Sequence, residues 1–217
     1  MKKEPLVLSI DFGTQSVRTS LIDKKGNTVA IVKKPYQPVY ISLEKGYAEQ
    51  DPDFYFENVV FCLKELTSKY PDELEAIIGS TITAFRDSSV QLDSEYKPVR
   101  KCILWLDQRM AKASEKIPFT HKLAFWIVGM KNTIDLNRKK TVAHWLKENE
   151  PENWSKTCKY VNISSYLTYK LTGNLCDSAA SVAGHYPINF QKRKWYKDGA
   201  LKSRIFGIPQ RMLCELK

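Results

Sequence analysis

Between Leu6 and Asp23 the chain alternates apolar and polar positions in two runs, LVLSIDF and SVRTSLID, separated by a short hydroxyl-rich bend. Alternation at period two on both sides of a glycine-containing bend predicts a strand-turn-strand hairpin. A turn at 24–27 and renewed alternation over 28–34 add a third antiparallel strand. Residues 35–49 hold two prolines and no period, which predicts a loop. Asp51 and Pro52 then supply an N-cap and a first-turn proline. Phe54, Phe56, Val59, Val60, Leu63 and Leu66 follow at helical spacing, to about Lys69.

The apolar run 76–84 reads as a buried strand, 90–93 as another, and 99–105 as a third after a turn at 94–98. From 111 to 150 the period becomes helical, with Thr141, Val142, Trp145 and Leu146 on one face. The stretch 161–173 predicts a short strand passing into a helix that Gly173 closes. Three antiparallel strands followed by interspersed helices and strands give a mixed α/β fold.

At 217 residues and 43% hydrophobic content the chain can bury a sizeable core. The five cysteines are scattered without a C-x-x-C pair, which argues against a zinc site or a disulfide framework. With no signal-peptide pattern and no apolar run approaching about eighteen residues, the expectation is a reducing, cytoplasmic setting without a membrane. A formal net charge of +10 suits anionic ligands, nucleotide phosphates or nucleic acid alike. The basic clusters 138–140 and 192–194 are short enough to read as solvated surface. His121 and His144 lie among apolar or helical residues with no Cys, His or acid at ligand spacing, so both read as structural or surface histidines.

The hairpin bend is the first candidate for chemistry. It carries Asp11, Gly13, Thr14, Gln15 and Ser16. Gly13 permits close backbone approach or a positive φ, and the hydroxyls and backbone N–H groups beside it can donate to phosphate oxygens. Asp11 places a carboxylate where a hydrated Mg²⁺ can sit. An ordinary hairpin with a glycine turn explains the same residues equally well. No G-x-x-x-x-G-K-[ST] run is present, so this is not a Walker A loop. Two further polar clusters, 85–89 and 105–109, fall at strand ends, where ligands of α/β folds collect. There an Arg86–Asp87 pair can hold vicinal hydroxyls, and Trp105 can cover the apolar face of a sugar ring; a turn with a surface ion pair is the plainer alternative.

The run D-F-G-T-Q-S with Arg18 two residues later resembles the phosphate loop of the actin/Hsp70/sugar-kinase superfamily, and specifically of the FGGY carbohydrate kinases. Three more blocks resemble that family: G-Y-A-E-Q-D-P at 46–52, F-R-D-S-S-V and W-L-D-Q-R at 85–90 and 105–109, and Y-L-T-Y-K-L-T-G with D-S-A-A-S, H-Y-P-I-N and Trp195 at 166–195, the approach to the cleft in that family. The resemblance implies an actin-like ATPase (ribonuclease H-like) domain over residues 1–217, the sugar-binding N-terminal part of a kinase that moves the γ-phosphoryl of ATP to a sugar or polyol hydroxyl. It further implies ATP and Mg²⁺ held at Asp11, Gly13, Thr14, Gln15, Ser16 and Arg18, with Asp11 at the metal. For the acceptor it implies Gln50, Arg86, Asp87, Trp105, Asp107 and Asn137. Arg86-Asp87 is similar to the Arg-Glu of glycerol kinases, whereas xylulose kinases carry Met-His there. Asn137 stands roughly where glycerol kinases place a substrate-contacting tyrosine. The family's catalytic base, an aspartate in a G-D-Q-like motif, belongs to a C-terminal ATP-binding domain beyond Lys217. Expected partners are therefore the sugar and that second domain, with a homodimer open.

Two other classes compete. A noncatalytic sugar-sensing module of the same fold is countered by the presence of Asp11, Arg86 and Asp107. A nucleic-acid-binding domain rests on charge alone, and no RNP, helix-turn-helix or zinc-finger signature supports it.

Overall fold

The computed structural model describes residues 3–113, 117–119, 126–127 and 129–217. Strands β1 (Leu6–Phe12), β2 (Ser16–Asp23) and β3 (Thr28–Pro35) form the expected antiparallel meander, in register from Phe12 opposite Val17 to Leu6 opposite Asp23. A two-residue strand, β4 (Glu49–Gln50), precedes helix α1 (Pro52–Lys69), whose first turn is closed by the Asp51 carboxylate accepting from Asp53 N at 2.9 Å. That cap satisfies one of the four N–H groups a helix start leaves unpaired. The buried seam of α1 runs through Tyr55, Val59, Cys62 and Leu66, while Phe54, Phe56 and Leu63 lie beside it, partly buried.

The chain returns as β5 (Ile77–Ala84), parallel to β1, so the first sheet has the order β3-β2-β1-β5. This strand corrects the expectation of burial: Ile78 is 74% exposed, and most of its neighbours are exposed too. An apolar run does not distinguish a central strand from an outer one, because periodicity carries no information on how many neighbours a strand has.

The second sheet, β4-β7-β6-β8, is built from β6 (Ser89–Leu92), β7 (Cys102–Ile103) and β8 (Lys159–Asn162). The strand expected over 99–105 shrinks to the two residues of β7 because the segments flanking it turn away. Arg100 turns into a buried ion cluster, and Leu104–Asp107 closes a turn in which Asp107 N donates to Leu104 O. Between β7 and β8 lie α2 (Lys131–Lys140), α3 (Val142–Asn149) and α4 (Pro151–Lys156). The continuous helical period read over 111–150 is broken at Thr141, whose ψ of 118° ends one helix and starts the next. His121 lies outside the described residues; His144 is a buried core histidine, 3.0 Å from Ile205 O, as expected.

Helix α5 (Ile163–Thr172) follows β8 directly and ends on Gly173 at φ 77°, the left-handed cap expected there. The remainder consists of β9 (Cys176–Asp177), a β10–β11 ribbon (Ile188–Asn189, Lys194–Trp195), α6 (Leu201–Phe206) and β12 (Glu215–Leu216), which pairs parallel with β9. One core fills the space between the first sheet, α1 and α5; a second, around Trp145, Leu146, Tyr160, Tyr186 and Ile188, lies under α3 and the ribbon. Among the described residues no helix is long and apolar enough to cross a membrane.

Candidate functional site

The bend between β1 and β2 is held by its own backbone. Gly13 N donates to Ser16 O at 3.0 Å, and Tyr36 N donates to Gln15 O at 2.9 Å. Gly13 is not in the left-handed region; its requirement is space, since a Cβ there would lie 3.3 Å from Ser16 O. Gly13, Thr14, Gln15, Ser16 and Arg18 line a cavity of ≈ 380 Å³ together with Lys33 and Pro35. Hydroxyls, backbone N–H groups and two cationic side chains form a donor set that matches phosphate oxygens. Asp11, near the end of β1, accepts from Arg18 Nη1 at 3.1 Å and from Thr83 Oγ1 of the parallel strand β5 at 3.3 Å. Its half-exposed carboxylate keeps lone pairs for the water shell of a hydrated Mg²⁺.

The second wall is built from 85–89 and 105–109. Asp87 has φ 59°, in the left-handed region that Asp tolerates better than most residues. This reversal sends adjacent side chains to different places: Asp87 lines two cavities on one side, and Arg86 lines another with Thr83, Ser164 and Asp177. The two residues therefore do not form the joint fork expected from the sequence. Ser88 fixes the turn, its Oγ accepting from Trp105 N at 3.0 Å and its carbonyl from Ile163 N at 2.9 Å. The indole Nε1 of Trp105 reaches Thr14 Oγ1 at 3.4 Å, which joins this wall to the hairpin bend. Trp105, Asp87 and Asp107 share a cavity of ≈ 400 Å³; Asp87 and Asn137 share a neighbouring one of ≈ 250 Å³. The Thr141 break between α2 and α3 brings Asn137, Lys140 and Val142 to the second of these.

Asp107 and Gln50 are engaged within the chain. Asp107 accepts from Ala48 N at 2.6 Å and pairs with Arg109 at 2.8 Å, with its side chain 3% exposed. Arg109 also pairs with Glu49 and lies over the Tyr47 ring at 3.8 Å, and Glu49 in turn holds Arg100 at 2.6 Å. The paired acids raise the Arg109 pKa against the opposing effect of burial. Gln50 donates to Pro38 O at 3.0 Å and accepts from Asp51 N at 3.0 Å, so it ties the preceding loop to the start of α1. A helix cap alone leaves Tyr47, Glu49 and Gln50 without a role; this network supplies one.

Asp177 is buried behind α5, accepting from Ser165 Oγ, Ser181 Oγ and Ser178 N, and burial raises its carboxyl above the ordinary range despite those bonds. Sequence reasoning placed His185 in the fourth block without giving it a role; its Nδ1 lies 3.0 Å from Asp87 Oδ1. Tyr186, from the same block, lines the smaller cavity with it, as do Lys140, Tyr160 and Asn162, which sequence reasoning did not single out for a site. Their sequence signal was weak: His185 and Tyr186 belong to the fourth block, but no spacing ties them to Asp87.

Comparisons with known proteins converge on one family. The profile of the FGGY family of carbohydrate kinases, N-terminal domain, matches residues 6–217. A xylulose kinase of Lactococcus lactis is 31% identical over 211 residues, covering 97% of this chain and 41% of the relative. Among solved structures, xylulose kinase from Rhodospirillum rubrum superposes with a TM-score of 0.77 at 19% identity, over 98% of this chain and 43% of that one. Plasmodium falciparum glycerol kinase with ADP gives 0.75 at 23% identity, over 99% and 43%. The fold is thus the actin-like ATPase fold of sugar kinases, and the chain spans about two fifths of the length of the relatives it matches.

Proposed function

The chain belongs to the FGGY family of carbohydrate kinases, and from that premise we propose that it is the acceptor-binding part of an ATP-dependent kinase acting on a sugar or polyol. The observation that carries the reading is the contact of Trp105 Nε1 with Thr14 Oγ1, which sets a phosphate-type bend and a hydroxyl-binding wall side by side. Phosphoryl transfer needs little covalent chemistry from a protein, so positioning and charge neutralisation are the tasks to assign.

Thr14, Gln15, Ser16, Arg18 and the Gly13 backbone hold the phosphates of ATP, and Asp11 orients a hydrated Mg²⁺, which supplies charge neutralisation at the transferring group. Asp87 and Asn137 bind acceptor hydroxyls, and Trp105 covers the sugar's apolar face. Arg86 is assigned to the acceptor by the family resemblance alone, since it lines a separate cavity with Thr83, Ser164 and Asp177. Asp107 and Gln50 shape the wall by holding Arg109 and the 46–52 segment. None of these acids is free to serve as general base: Asp11 is committed to metal, Asp87 to hydroxyls and Asp107 to Arg109. The relatives are more than twice as long as this chain, and it is the family resemblance that assigns the general base and most of the adenosine site to the remainder of such a kinase.

Calorimetric titration of the purified chain separates the two sites. Asp87→Ala should weaken acceptor binding by about ten- to a hundredfold, the equivalent of a charged hydrogen bond of about 1.5–3 kcal/mol, and leave MgADP affinity in place. Asp11→Asn should show the opposite pattern. Equal loss of both ligands in either variant contradicts the assignment.

A further inference from the structure

Residues 177–186 lead from β9 to the second core through a run of tight turns, and both ends of the run are pinned. At the first end Asp177 accepts from Ser178 N and from the hydroxyls of Ser181 and of Ser165 on α5. Asn162 Nδ2 donates to Ser181 O at 3.2 Å, which ties the same turn to the end of β8. At the other end Val182 and Tyr186 are buried in the core under α3, with Gly184 at φ 84° turning the chain between them. His185 is thus a partly exposed side chain mounted on a fixed backbone, and its Nδ1 lies 3.0 Å from Asp87 Oδ1. An ionised carboxylate only accepts, so Nδ1 carries the proton and donates. The opposite partner is mounted as rigidly. Ser88 Oγ accepts from Trp105 N and Ser88 O accepts from Ile163 N, which holds the backbone next to Asp87. Asp87 itself has φ 59°, a conformation that a non-glycine residue keeps where its surroundings over-determine it.

We propose that His185 is a positioning residue, which holds the Asp87 carboxylate in one orientation before the acceptor arrives and acts on the acceptor through Asp87. The reading rests on the acceptor site proposed above. A half-exposed aspartate side chain otherwise exchanges among several rotamers. Lys140 lines the same two cavities as Asp87, so a carboxylate that is not held has a competing cation to turn to. With Oδ1 engaged by His185, the side chain is fixed, and Oδ2, which has no hydrogen-bond partner among the described residues, is left for a ligand in the cavities that Asp87 lines. Binding then does not have to immobilise Asp87, a cost that weakens association by about two- to tenfold for one ordered side chain.

A double-mutant cycle in calorimetric titration of the 217-residue chain with D-xylulose and glycerol separates positioning from direct contact. His185→Ala should weaken the probe that binds by about two- to tenfold, less than Asp87→Ala does. Added to Asp87→Ala it should change nothing further, because its route to the acceptor is gone. His185→Asn, whose side-chain amide N–H can stand about where Nδ1–H stood, should restore most of the affinity, which a mere loss of packing would not allow; thermal melting of each variant controls for folding. A second readout needs no acceptor: the Asp87 Cγ resonance of the isotopically labelled chain should move in His185→Ala and return toward its wild-type position in His185→Asn. Wild-type affinity in His185→Ala, an undiminished effect of His185→Ala in the Asp87→Ala background, or an Asp87 Cγ resonance indifferent to His185 overturns the positioning role and leaves the acceptor site standing. No binding of either probe, with the Cγ response intact, overturns the acceptor site and with it the role of His185 toward an acceptor.

Discussion

Asp107 shows how far a motif residue can be from its first interpretation. Both its oxygens are occupied, by Ala48 N and by the guanidinium of Arg109, and its side chain is almost completely buried. A carboxylate held on both sides in this way shapes the wall of the cavity it lines. Removing one partner of a buried pair leaves the other charge uncompensated, which costs far more than loss of a surface pair. Asp107→Asn should destabilise the chain by about 3 kcal/mol in urea unfolding, at the lower end for buried pairs because Arg109 keeps Glu49. A loss below about 1 kcal/mol would return Asp107 to the surface-pair class. The residue identities of this network, Tyr47, Glu49, Asp107 and Arg109, were visible in the sequence as two separate blocks. Their mutual contact was not, because ion pairs between distant segments leave no local period.

At the scale of elements, the strongest local signals held. The β1–β2–β3 meander, the Asp51-capped helix α1 and the β8–α5 unit closed by Gly173 all follow from alternation, capping chemistry and a left-handed glycine. What local pattern could not supply was sheet order: it made β5 a buried strand and gave β7 seven residues where two pair. The second glycine cap, Gly207 after α6, adds a tertiary constraint to the conformational one. Its φ is 64°, and a Cβ there would lie 2.6 Å from Cε1 of the buried His144. At Gly173, φ 77°, a Cβ would meet nothing within 4 Å. Gly173→Ala should therefore cost about 1–2 kcal/mol, the ordinary penalty for a left-handed alanine. Gly207→Ala should cost an additional 1–3 kcal/mol or so for displacing the imidazole. Equal losses in thermal or denaturant unfolding would mean that His144 moves aside freely.

For the whole molecule, function depends on how two cores and two sheets bring separate loops to one place. The bend of the first sheet carries Arg18 and Lys33 beside its hydroxyls, so part of the +10 charge faces a phosphate-type cavity. The second sheet and the α2–α3 break carry Asp87, Trp105 and Asn137, and the Trp105–Thr14 contact is the seam between the halves. The family resemblance was legible from four short blocks, whereas the His185–Asp87 contact and the smaller cavity needed the fold, because their residues come from segments about fifty to a hundred residues from Asp87. The most direct test of the central claim is an amide and indole NMR map of the isotopically labelled chain, titrated separately with MgADP and with D-xylulose. The account predicts that MgADP shifts the backbone amides of residues 13–16. D-Xylulose should shift the Trp105 indole Nε1–H and the amides around Asp87 and Asn137. Shifts at one shared set of residues for both ligands, or D-xylulose shifts confined to residues away from Asp87 and Trp105, would contradict it.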